Sequence, residues 1–515
     1  MLKKIQTWVR ENKVELVLLT LTLIVGAFLR LYRISEYMTF LGDEGRDAII
    51  VRRLLVDFDP ILIGPGTSIG NMFLGPMYYY FIAPGLLFFN FSPVGPSVQI
   101  ALFGVATIFL VWFVAREWFP SARKGQVAWW ALAAAFLYAT APTAIIFSRA
   151  SWNPNIMPFI SLLSIFSIWR VWSKKQYKWL LVLAVSFAFA LQSHYFGLLL
   201  LPTLGIFWLL GAVSSKNTNK MYMRYSLYAL LVFAFLMSPL AIFDIRHNFL
   251  NLNAMKDFFT MRQTTVSARP WSALPSAWPI IVDFTTRLLA GRHEAVGRLV
   301  AFVIAGLTLY AMAFEKFKNI KKFYKPWLVI LSWLGFAIIG LGVFKQQIYD
   351  HYYGFFFTAP FLLYAGIFSY LISKKNWWAL LLALGTAFLG YFNLVNSPLL
   401  DPPTRQLQRA QAVASLIESQ TGEERFNLAV IAERNYEDGY QYFLERDGTG
   451  VTDIDPLRFE ETVSNQLFVV CELADKGDCD PTHNAKAEVA NFGWSKIERE
   501  WDVQGVRVYE LKHVQ

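Results

Sequence analysis

The stretch FLGDEGRDAIIVRRLL, Phe40–Leu55, follows an apolar run that ends at Leu31. It gathers Asp43, Glu44, Arg46, Asp47, Arg52 and Arg53 on one short segment. Whether those charges lie beside a membrane or far from one decides what the chain is, and the rest of the sequence answers.

Of the 515 residues 55% are apolar, 17% aromatic and only 16% charged; soluble domains carry about 25% charged residues. Apolar runs long enough to cross a hydrocarbon core of about 30 Å as helix recur along most of the chain. They fall near Val14–Leu31, Val98–Ala115, Val127–Phe147, Ile156–Trp172, Lys178–Ser193, Phe196–Val213, Tyr225–Phe243, Leu299–Phe314, Trp327–Phe344, Phe355–Ile372 and Trp377–Leu394. The expected fold is therefore mainly α and polytopic, with about eleven transmembrane helices. The first run is too long for a signal-peptide core and lacks a small-residue cleavage site, so it reads as a retained span.

Alternate connections are short and lysine-rich, as in MLKKIQTWVRENK, RVWSKKQYK and EKFKNIKKFYK. The positive-inside rule makes their side cytoplasmic, and the N-terminus with them. Topology thus accounts for most of the net charge of +10 without nucleic acid. The protein is expected in the cytoplasmic membrane, in contact with its lipids.

The opposite connections include two long ones, 34–97 and 244–298, and the tail beyond Asp401. Residues 1–400 read as the membrane domain and 401–515 as a small extracytoplasmic α/β domain. In that tail TRQLQRAQAVASLIESQ has helical periodicity, FNLAVIAE reads as a strand, YEDGYQYFLER as a helix, and QLFVVCEL and GVRVYELK as strands. Cys471 and Cys479 are either bridged or two free thiols.

Outer connections of a multipass protein usually avoid basic residues. Here they carry Arg46, Arg52, Arg53, Arg149, Arg246, Arg262, Arg269, Arg287 and Arg292. Arginine's planar fork suits phosphate oxygens, so such a face suits a phosphate-bearing ligand; single arginines can equally hold lipid headgroups or pair with acids. Asp43–Phe58 fits a short interfacial helix with Val51, Leu54, Leu55 and Phe58 toward lipid. Asp43 and Asp47 are one turn apart, with Arg46 placed to pair with either. A carboxylate there can accept a proton from an incoming hydroxyl; an acid stabilising the helix N-terminus is the simpler alternative.

The arrangement resembles the GT-C membrane glycosyltransferases, in particular the superfamily of dolichyl-phosphate-mannose protein mannosyltransferases and aminoarabinose–lipid A transferases. Asp43, Glu44 and Arg46 match the family's D-E-x-R segment. GPMYYYFIAPGLLF from Gly75 is similar to its P-x-Y-Y stretch, FSRASWNPN from Phe147 to its S-R segment, and YDHYYGFFFTAPFLL from Tyr349 to its late H-Y-Y…P segment. The chain departs from the pattern where Phe73, Leu74 and Gly75 precede Pro76, and where Asn153 and Asn155 stand in place of an acid.

The resemblance implies a GT-C-like fold and transfer of a sugar from a polyprenyl-phosphate donor to a hydroxyl on a protein, lipid or cell-envelope glycan, on the outer face. It implies Asp43 as general base with Glu44 beside it in the catalytic segment, inversion by single displacement, and cations that neutralise the departing phosphate. Arg149 is the candidate by motif; Arg46, Arg246, Lys345 and His351 are candidates by location.

Asp57 and Asp59 form a D-x-D spacing used for metal–phosphate binding in some glycosyltransferases. They precede Pro60, where a helix must end, so a helix-ending turn is the favoured reading. No cofactor is required, and a divalent metal is possible but not favoured. His194 and Tyr195 read as a hydrogen-bonding pair in a tight outer turn. The competing function is a polytopic transporter or flippase for lipid-linked sugars, which would keep ionisable groups at mid-span. A scaffold presenting the tail is a third.

Overall fold

The computed structural model describes residues 8–67, 72–120, 125–215, 219–260, 265–267, 269–314, 320–473 and 479–514; Arg262 of the outer arginine set lies outside them. The first span is α1 (Lys13–Leu31). The charged stretch forms α2 (Gly42–Val56), close to the expected helix. Its first turn is fastened by Glu44, whose Oε2 accepts from the Leu41 backbone N–H at 3.0 Å, a reach-back that satisfies one orphan donor of the helix start. It ends at Asp57, and Phe58 turns into the left-handed region with φ 57°. The helix-ending turn at Asp57 and Asp59 is thus present.

Next come α3 (Met77–Phe88) and α4 (Val94–Trp118). The sequence reading left α3 inside a long connection, because its 12 residues are too few to span. The expected span Val127–Phe147 is broken into α5 (Trp129–Thr140) and α6 (Pro142–Phe147). Pro142 forces Ala141 into an extended conformation, φ −59° and ψ 120°, which no helix passes through.

The membrane domain continues through α7 (Met157–Lys174), α8 (Trp179–Ser193), α9 (Leu201–Val213), α10 (Asn219–Arg246), α11 (Leu250–Thr260), α12 (Leu274–Leu288), α13 (Glu294–Phe314), α14 (Ile320–Gly342), α15 (Ala359–Lys374) and α16 (Trp378–Val395). Among the described residues, 8 helices are long and apolar enough to cross a membrane; a ninth is obtained if the turn Asp350–Phe356 and α15, bent by 54°, are one span. The other two expected spans correspond to the shorter apolar helices Trp129–Thr140 and Trp179–Ser193.

The tail forms α17 (Gln406–Thr421), β1 (Asn427–Ile431), α18 (Asp438–Arg446), β2 (Gln466–Cys471), α19 (Ala487–Phe492), β3 (Ser495–Val503) and β4 (Val506–His513). The sheet order is β1-β2-β4-β3. β1 and β2 run parallel with Ala429 opposite Val469, and β4 pairs antiparallel with β2, Val508 opposite Val470. β1 and β2 are buried along their whole length, as their unbroken apolar runs require. β3 was not expected: it is an edge strand with exposed Lys496, Glu498, Arg499 and Glu500, so no apolar alternation marks it. Cys471 and Cys479 form a disulfide.

This C-terminal α/β unit sits on α2. The Phe40 ring packs 5.6 Å from Phe443 and 6.3 Å from Tyr442, and Arg53 pairs with Glu445 at 2.8 Å. The expected lipid-facing side of α2 is corrected here. Val51 is fully buried in protein and Leu54 and Leu55 are half-buried; of the four residues expected toward lipid, only Phe58 is exposed, at 84%. α2 is packed between α3 and α18, where lipid was expected.

Candidate active site

α2 presents Asp43 and Arg46 to a cavity of about 370 Å³. One wall is the loop after α2, where Gly66 pairs with Phe73 as an isolated antiparallel bridge and the Leu74 N–H donates to the Pro65 carbonyl at 3.0 Å. The opposite wall is aromatic and comes from three separate connections. Trp152 and Asn153 precede α7, His194 and Tyr195 join α8 to α9, and Tyr349, His351 and Tyr352 precede α15. The His351 ring lies 4.6 Å from Trp152 and stacks on Tyr349 at 5.9 Å, and His194 stacks on Tyr195 at 4.5 Å.

Arg46 lies between two acids. Its Nη1 donates to Asp43 Oδ1 at 2.8 Å and its Nη2 to Asp47 Oδ1 at 2.7 Å. Asp47 is buried at 1% exposure, and burial, opposed by Arg46, pushes its carboxyl up to about 6. Asp43 differs: its side chain is 40% exposed. The Tyr436 hydroxyl of the C-terminal α/β unit also donates to Asp43 Oδ1. Oδ1 is thus held twice, and Oδ2 accepts no hydrogen bond among the described residues.

Glu44 does not line the cavity. It is 7% exposed, engaged with the Leu41 N–H, and burial, reinforced by Asp43 and Asp47, pushes its carboxyl up to about 7. Its neighbours are Met38, Phe40 and Ser151 rather than the cavity wall. Two adjacent acids in a helix point about 100° apart, so a shared chemical task was never geometrically open to both.

Arg149 also lies elsewhere. Its guanidinium donates to the Leu29 carbonyl at 2.8 Å and the Tyr32 carbonyl at 2.7 Å, and it lies over the Tyr37 ring at 5.1 Å. It satisfies the last carbonyls of α1, the groups a helix leaves without partners. Arg246 is exposed at the end of α10, and Lys345 is exposed, its backbone N–H donating to the Thr265 carbonyl at 2.8 Å. Neither reaches the cavity wall. Of the five candidate phosphate ligands, Arg46 and His351 line it.

The arginines expected on the outer face are, as a set, engaged mostly within the protein. Besides Arg46, Arg53 and Arg149, Arg287 and Arg292 approach Asp350 at 3.5 and 3.1 Å. Asn153, Tyr195 and Tyr349 are cavity residues the sequence reading did not assign to the site. Their common signal was aromatic or amide residues in short connections between helices. His194 was read as one of a hydrogen-bonding pair with Tyr195. Instead it stacks on that ring, and its Nδ1 accepts from the Phe196 N–H at 3.2 Å. Burial, with His351 nearby, pulls it down to about 3, so it is neutral. Among the described residues no group of three or more His, Cys, Asp or Glu side chains is arranged to hold a metal ion.

Residues 74–242 match the family described as dolichyl-phosphate-mannose-protein mannosyltransferase. The fold is similar to that of ArnT from Cupriavidus metallidurans, solved bound to undecaprenyl phosphate, with a TM-score of 0.59 at 12% identity over 96% of this chain and 97% of that one. It is also similar to the archaeal oligosaccharyltransferase AglB from Archaeoglobus fulgidus, solved with an inhibitory peptide and a dolichol-phosphate. There the TM-score is 0.52 at 11% identity over 89% of this chain and 69% of that one. No curated protein sequence matches significantly. The family match spans about a third of the chain, and at 11–12% identity what the two solved structures share with it is the fold.

Proposed function

We propose that this chain moves a sugar from a polyprenyl-phosphate-linked donor to a hydroxyl-bearing acceptor at the extracytoplasmic face of the membrane, with Asp43 as general base. The observation that carries the reading is the Asp43 carboxylate itself: it lines a cavity of about 370 Å³, with one oxygen held by two donors and the other accepting no hydrogen bond among the described residues. The acceptor O–H gives its proton to Oδ2 as its oxygen attacks the anomeric carbon. The bond from that carbon to the lipid phosphate breaks, the phosphate leaves with the electron pair, and one displacement inverts the configuration.

Arg46 and His351 are the groups on the cavity wall suited to the departing phosphate. Arg149, Arg246 and Lys345 have no part in this reading, and Glu44 serves as the cap of α2. The aromatic wall suits the apolar faces of a sugar ring and excludes water around the reacting bond. Membrane domain 1–400 carries the chemistry, and domain 401–515 lies outside the membrane. The transporter or flippase reading is disfavoured because the cavity acid, Asp43, sits on a helix that follows the first span, not within a span.

The reading is tested by replacing Asp43 with Asn in a strain lacking the wild-type chain. Mass spectrometry of lipid-linked sugars and surface glycans identifies the missing sugar and the unmodified acceptor in that strain. Wild type restores the glycan, and the Asn variant leaves it absent while inserting normally. Full restoration by the variant rules Asp43 out as the base.

A further inference from the structure

Tyr436 and Asn435 stand on the loop between β1 and α18, far in sequence from α2 and directly on its first turn. The Asn435 Oδ1 accepts from the Gly42 N–H at 2.9 Å, satisfying an orphan donor of α2. Its Nδ2 donates to Glu472 Oε1 at 2.6 Å, and the Tyr440 hydroxyl donates to the same oxygen at 2.6 Å. The loop is therefore braced from behind by Glu472, just past the end of β2. Approach to α2 is close: a Cβ added at Gly42 would lie 2.3 Å from the Tyr436 ring, and one at Gly45 2.3 Å from the Asp438 carbonyl oxygen.

Within the base reading above, we infer that Tyr436 of the outer domain is a positioning residue for Asp43, so that the catalytic site is completed by the soluble domain. Its hydroxyl makes the one hydrogen bond that Asp43 receives from outside α2 among the described residues. Arg46 and Tyr436 converge on Oδ1 from two elements, and two donors fix the carboxylate plane where one leaves it free to rotate. Oδ2, which accepts no hydrogen bond among the described residues, is left for the incoming hydroxyl. A base held in line with the attacking hydroxyl is worth far more than the same carboxylate swinging, since displacements near 1 Å cost about a hundredfold in rate.

The phenol suits the task because it is neutral. Burial pushes it up, with Asp43 adding to the shift, so at neutral pH it is always the donor and brings no charge near the phosphate. Asn435 and Glu472 give the loop its stiffness without touching the cavity.

The test uses the full chain. Turnover is read as restoration of the missing glycan in the deletion strain, and binding as titration of the purified protein in detergent with undecaprenyl phosphate. Tyr436→Phe keeps the ring and removes the donor. It is expected to lower turnover about 10–100-fold, with undecaprenyl phosphate affinity and thermal midpoint unchanged. Gly42→Ala displaces the ring with its hydroxyl intact and is expected to give a comparable loss. The double variant is expected to be no worse than the poorer single one, because both act through one contact.

Tyr436→Phe at half the wild-type turnover or better overturns the inference and leaves the base reading standing if Asp43→Asn is inactive. Loss of affinity or of thermal stability in parallel with turnover also overturns it, since the role is then structural. An active Asp43→Asn removes the base reading and the inference together.

Discussion

The Arg46 guanidinium bridges Asp43 and Asp47, 2.8 Å from an oxygen of the first and 2.7 Å from an oxygen of the second. One cation thus spans a half-exposed acid at the cavity and an acid buried at 1%. The pairing fixes where charge can develop, because Arg46 is positioned before any ligand arrives. Lysine cannot span both. Arg46→Lys is expected to keep the protein folded but lower turnover tenfold or more by ~1.4 kcal/mol or greater of lost stabilisation. Arg46→Ala strands the buried Asp47 and is expected to cost about 3–5 kcal/mol of stability. Thermal denaturation of the two variants beside their glycan restoration separates the effects.

Asp43→Asn is expected to leave no detectable transfer, with expression, membrane insertion and thermal midpoint at wild-type levels. The amide still accepts from Arg46 and Tyr436 through its oxygen, so the scaffold has no reason to change. Activity within tenfold of wild type would falsify the assignment of Asp43 as base.

Glu44→Gln should separate the two neighbouring acids. The glutamine oxygen can still accept from the Leu41 N–H, and Glu44 lies off the cavity, so turnover is expected to stay within twofold or so of wild type. Stability should change with pH. The Glu44 carboxyl is pushed from 4.5 up to about 7 by burial, so the folded state binds its proton more tightly than the unfolded state. Stability from that preference is full below about pH 4.5 and is lost as pH rises to about 7. Asp47 is raised too, but it is present in both proteins and leaves the difference to Glu44. The variant should match wild type at pH 4.5 and exceed it by about 2–3 kcal/mol at pH 8. Parallel melting curves across that range would expose the error.

Arg149→Ala is expected to act on stability, not on the donor. The buried Leu29 carbonyl and the part-buried Tyr32 carbonyl just past α1 lose a charged partner, costing about 2–4 kcal/mol in all. Undecaprenyl phosphate affinity per folded molecule should be unchanged. A selective loss of affinity with an unaltered melting temperature would return Arg149 to the phosphate site.

Asp57→Ala should be silent, and turnover should be insensitive to a chelator. Both Asp57 and Asp59 are exposed on a helix-ending turn, away from the cavity lining. A chelator-sensitive wild type whose sensitivity is altered by the substitution is the contrary outcome.

Apolar length and lysine placement are local properties, so most of the membrane architecture was readable from the sequence. The misreadings have specific causes. Pro142 divides one apolar run, α3 is too short for the length criterion, and β3 carries charges where alternation was sought. At the site, Asp43 and Arg46 were legible because one turn of helix brings them together. Tyr436 was not, because its contact with Asp43 spans 393 positions and depends on how a separate domain settles. Arg149 shows the converse: a motif marked the residue, yet its partners, the Leu29 and Tyr32 carbonyls, are main-chain groups that no side-chain pattern reveals.

The backbone seam at Gly45, where α2 meets Asp438 and Gly439 without room for a methyl group, bears on recombination. A hybrid that joined these spans to a relative's C-terminal half would need the same glycine spacing and the same loop to seat. The smallest exchangeable unit is therefore the pair of α2 and the 435–446 segment, inherited or grafted together.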